Sequence, residues 1–67
     1  MNVMIPLPAP WNQLVLRQPE TGMGYRVMTL RLRDGRTILR AVLMGDQIVD
    51  VPDGTRPFTT EEIVAVR

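Results

Sequence analysis

Cysteine, histidine, serine and lysine are all missing from this 67-residue chain. Without cysteine no disulfide can stabilise it, and the redox compartment stays open. Without histidine or cysteine the softer metals lack the ligands they favour, so no metal or cofactor is expected. The four missing types also supply most nucleophiles, Schiff-base amines and near-neutral general bases. Threonine, Tyr25 and the carboxylates remain, and paired acids need a deep cleft to separate their pKa values. A domain this small rarely holds one, and no enzymatic activity is expected.

Aromatics are scarce, with one Trp, one Tyr and one Phe. Neither charge sign dominates: the net charge of +1 argues against a dedicated non-specific nucleic-acid binder. No apolar run is long enough to span a membrane, and MNVMIPLPAPW lacks the basic start and unbroken apolar core of a secretory signal. A cytoplasmic protein without membrane contact is expected. Chains of this size bury only about 60% of their unfolded surface. With disulfides and metals set aside, homo-oligomerisation is the compensation that remains.

What is present is unevenly placed. Residues 1–40 carry six arginines against Glu20 and Asp34, and residues 41–67 carry two arginines against five acids. Residues 1–10 form a proline-rich N-terminal arm with Pro6, Pro8 and Pro10 at every second position. Proline lacks the amide donor, so polyproline II or disorder is expected there, packed on its own domain or reaching a neighbour. Residues 11–67 read as a single small domain. WNQLVLR (11–17) suggests a short strand, and PETGMG (19–24) a loop whose G-x-G is too little for a dinucleotide site.

The clearest signal is YRVMTLRLRDGRTILRAVLM (25–44), an Asp-Gly between β-rich runs. A two-residue loop at Asp34-Gly35 pairs Leu32 with Thr37, Leu30 with Leu39, Met28 with Ala41 and Arg26 with Leu43. One face then holds Met28, Leu30, Leu32, Leu39, Ala41 and Leu43 as core. The other is basic at the turn, with Arg31, Arg33, Arg36 and Arg40 beside Thr29 and Ile38, and apolar at its far end, with Tyr25, Val27, Val42 and Met44. After Met44 a three-residue loop (Gly45, Asp46, Gln47) is expected, because a two-residue loop would turn Asp50 into the core. In FTTEEI (58–63), Thr59 and Glu62 have capping-box spacing, which predicts one 3₁₀ turn pinned by Phe58 and Ile63 before a closing strand over 63–66.

Four to five short strands with tight turns predict an all-β, antiparallel small barrel. The L-x-D-G-R at Leu32–Arg36 and the F-x-x-x-E-I at Phe58–Ile63 resemble short uncharacterised bacterial proteins of SH3-like or Sm-like barrel pattern. The resemblance covers about residues 24–67 and implies an SH3-like/Sm-like barrel of four to five strands with a 3₁₀ turn before the last. The chain departs from the Sm pattern in lacking a visible N-terminal helix and a glycine in VAVR, so no RNA-binding residues carry over.

Two roles follow. Tyr25, Val27, Val42 and Met44 are a candidate protein interface, covered within the fold or by a second copy. Arg31, Arg33, Arg36 and Arg40 are a candidate phosphate-binding face, whose guanidinium forks suit nucleic-acid backbones; solvated strand arginines are the plainer account. Asp46, Asp50 and Asp53 lack the spacing of a calcium loop.

Overall fold

Turn chemistry cuts this chain into short elements. The computed structural model describes residues 1–19, 22 and 24–67. They form β1 (Asn2–Pro6), α1 (Ala9–Leu16), β2 (Arg26–Leu32), β3 (Thr37–Met44), β4 (Gln47–Asp50), a 3₁₀ turn (Thr60–Glu62) and β5 (Ile63–Val66). The strands make one antiparallel sheet in the order β1-β4-β3-β2-β5, curled into a half-barrel. Leu30, Leu32, Leu43, Ile48 and Val15 are fully buried at its centre. Glu20, Thr21 and Met23 lie outside the described residues, so the G-x-G reading does too.

The first hairpin closes with three residues rather than two. Gly35 N–H donates to the Leu32 carbonyl (3.0 Å) and Leu32 N–H to that of Arg36 (2.8 Å). The Asp34 carboxylate accepts the Arg36 N–H at 3.0 Å, and Gly35 takes φ +95°, the left-handed residue that three-residue loops require. The longer loop puts Leu30 opposite Ile38 and Arg31 opposite Thr37. An extra residue in β3, at Leu39-Arg40, then restores the expected pairs Met28–Ala41 and Arg26–Leu43. Ile38 is therefore core at 6% exposure, and Leu39, expected inside, stands 60% exposed.

The second hairpin also differs from expectation. Leu43 pairs with Ile48 and Met44 with Gln47, leaving Gly45-Asp46 as a two-residue loop. Gly45 has φ +60° in the first loop position, where a type II′ turn needs glycine. Asp50 still avoids the core, because β4 shifts register between Ile48 and Asp50 and sets it against Val42. A bulge, not the loop, meets the electrostatic constraint.

Residues 11–16, expected as a short strand in a chain without a helix near its N-terminus, belong to a helix, so the fold is mostly β rather than all-β. Pro10 sits in its first turn, where no intrahelical amide is needed. Trp11 and Val15, four residues apart, face the core, and α1 touches β5. Nor is Asn2–Pro6 polyproline: it is an edge strand on β4, and Pro6 is tolerated there because an edge has a side without partners. The C-terminal reading holds. Thr59 and Glu62 form the capping box, Phe58 and Ile63 are buried, and β5 follows the 3₁₀ turn.

Candidate interaction surface

Alternation along β2 sends Arg26, Met28, Leu30 and Leu32 inward and Val27, Thr29 and Arg31 outward. Val27 and Val42 are cross-strand partners on the outer face, both half-buried. Met44, two residues beyond Val42, is 52% exposed, and Tyr25 is 36% exposed. The four apolar candidates thus stand at one end of the outer sheet face. Tyr25 is held there by Gly22: the two exchange backbone hydrogen bonds (3.3 and 3.4 Å). The ring lies against Gly22 so closely that a Cβ would collide with it. Gly22 as the seat of Tyr25 was invisible in the sequence, because only the tertiary approach reveals it.

The arginines have separate surroundings. Arg36 donates through Nε to Asp34 (2.8 Å) and through its other nitrogens to the carbonyls of Arg56 (3.0 Å) and Pro57 (3.4 Å) and to Glu62 (3.4 Å). It ties the hairpin tip to the 56–62 segment. Arg33 donates to the Glu61 carbonyl (3.2 Å). Arg31 shares a shallow concavity with Arg67, Thr29 and Thr37. Arg40, at φ +62° in the β3 bulge, lines another with Asp50 and Asp53. Among the described residues no ion pair engages Arg31 or Arg40.

Arg26 was not singled out from sequence, yet it is the one buried charged residue among those described. Its Nε donates to the Gln18 carbonyl (2.8 Å) and Nη2 to that of Leu16 (3.4 Å), which places a cation at the C-terminus of α1. Arg-rich β-runs give no hint of this, since the helix lies ten residues earlier.

Local charge follows from these contacts. The Arg36 backbone N–H and guanidinium hold the Asp34 carboxyl below its usual value. The Met1 amine lies 2.7 Å from Asp50 and 3.1 Å from Asp53. Its hydrogen bond lowers Asp50, and the two carboxylates raise the amine. No helix among the described residues is long and apolar enough to cross a membrane. No family model, curated protein or solved structure matches this chain.

Proposed function

We propose that this protein is a non-enzymatic, protein-binding interaction module that associates with a second copy of itself. The observation that carries the reading is the exposed Met44 and Tyr25 beside the Val27–Val42 pair, on a face whose opposite side is already filled by core. Covering this cluster adds apolar burial to a chain short of it and links stability to assembly. An SH3-like or Sm-like barrel is the finer fold reading. Two tight hairpins and the 3₁₀ turn before β5 support it, and α1 between the first two strands sets this chain apart.

Light scattering tests the association. The expected result is an oligomer that Met44→Glu converts to a monomer with unchanged circular dichroism; a wild-type monomer at every concentration removes the reading. Phosphate binding through Arg31, Arg33, Arg36 and Arg40 is the second reading. It has less support, since Arg36 and Arg33 are engaged by the protein's own oxygens. Fluorescence anisotropy with single-stranded RNA at low salt is expected to show no binding. Binding with a log–log salt slope of about −2, lost in Arg31→Glu with Arg40→Glu, would favour it instead.

A further inference from the structure

After β4 the Val51 N–H donates to the Met1 carbonyl (3.0 Å) and the Thr60 hydroxyl to that of Pro6 (2.6 Å), so the intervening chain runs past both ends of β1. This leaves a groove of about 370 Å³ between Asn2–Ile5 and the segment Thr55–Phe58. We propose that the groove binds a short extended peptide of a partner protein, with apolar side chains and a carboxylate that meets Arg56.

Four features argue for that occupant. The volume lies in the range of roughly 300–1,000 Å³ typical of ligand sites, and Val3, Ile5, Val51 and Phe58 give the groove an apolar lining. The free edge of β1 supplies backbone partners. Leu7 N–H donates to the Asp46 carbonyl (2.8 Å) and Ile5 pairs with Ile48, so strand alternation turns the Pro6 carbonyl between them away from β4. The Thr60 hydroxyl donates to the Pro6 carbonyl at 2.6 Å. Met4, 79% exposed on this edge strand, is the position at which a strand laid alongside would meet β1.

The third feature is width. Asn2–Ile5 and Thr55–Phe58 both line the groove, and Pro6 and the β1 bulge discourage sheet-to-sheet pairing. An isolated strand is the form that fits. The fourth is charge. Two cations border the groove, and the Met1 amine is already paired with Asp50 and Asp53. Arg56 is exposed and has no ion pair among the described residues, while its backbone carbonyl is held by Arg36. A guanidinium so placed matches a carboxylate. The groove is separate from the outer Tyr25–Met44 cluster, so it stands whether or not the protein self-associates.

Titration of the ¹⁵N-labelled full chain tests this. The probe is a pool of pentapeptides alternating Val or Ile with Thr, with free carboxyl termini, beside the same pool amidated. The expected result is a shift of the Met4 amide and the Arg56 Nε–H, weakened roughly tenfold by amidation or by Arg56→Gln. Met4→Pro, which deletes the Met4 amide, is expected to abolish binding while circular dichroism stays unchanged. Arg33→Gln is expected to leave it unchanged. No shift with the free-carboxyl pool, shifts centred on Met44, or equal affinity in Met4→Pro and Arg56→Gln would overturn the proposal.

Discussion

Residues 26–50 hold their places through loops of two and three residues, whereas residues 2–16 hold theirs through β4, β5 and the buried guanidinium of Arg26. In the first region a neighbour in sequence is a neighbour in space, and an error of one residue at a turn is absorbed by a bulge a few residues on. In the second nothing nearby dictates the outcome. Helix α1, eight residues long, is too short to be stable alone and forms because Trp11 and Val15 find the open side of the half-barrel.

The largest expected effect joins both regions. Leu30 is fully buried where β2 packs, and Leu30→Ala is expected to cost about 2–5 kcal/mol in denaturant unfolding. Both regions should unfold in one transition; two transitions would show that the N-terminal region has stability of its own.

Arg26→Met should separate them. It removes two charge-assisted bonds to the end of α1 at a cost of about 1.5–3 kcal/mol. Hydrogen exchange should then show α1 losing protection while β2–β4 keep theirs. A comparable loss across the hairpins would make Arg26 a core residue rather than a helix tie.

Two left-handed positions sharpen the contrast within the meander. Gly35→Ala is expected to cost about 1–2 kcal/mol, because φ +95° is strained for any side chain. Arg40→Gly should stabilise by up to about 1 kcal/mol, since Arg40 already sits at φ +62°. Opposite signs in urea midpoints would confirm that tip and bulge share one backbone requirement.

The smallest effects are electrostatic. Asp34 and Asp50 have lowered carboxyl values, so each contributes stability that is complete above the usual 3.8 and lost as pH falls through the lowered value. The Met1 amine is raised from 8.0, so its contribution is complete below that pH and lost as pH rises through the raised value. Asp34→Asn should flatten the acid limb of the urea midpoint. Asp50→Asn should flatten both limbs, because it serves a contact seen from each end.

Much of this was legible. The positions of the Asp-Gly and Gly-Asp turns (not their loop lengths), the capping box of Thr59 and Glu62, and the burial of Phe58 and Ile63 arise from contacts within a few residues, where backbone sterics and side-chain reach leave few choices. The outward placement of Tyr25, Val27, Val42 and Met44 was legible too, since they lie beyond the bulge where the β2–β3 alternation is unbroken. Three things only the tertiary structure decided. Leu39 and Ile38 exchanged faces because the loop length and the far-end pairing disagree by one residue. The arginines dispersed because Arg26 and Arg36 found carbonyls distant in sequence. The proline-bearing segment became an edge strand and a helix because β4 and the open side of the half-barrel could receive them. Where the chain turns is set by local torsions that the residues themselves prescribe; loop register, faces, ties and edges depend on which surfaces meet, and that is known only once the chain has closed on itself.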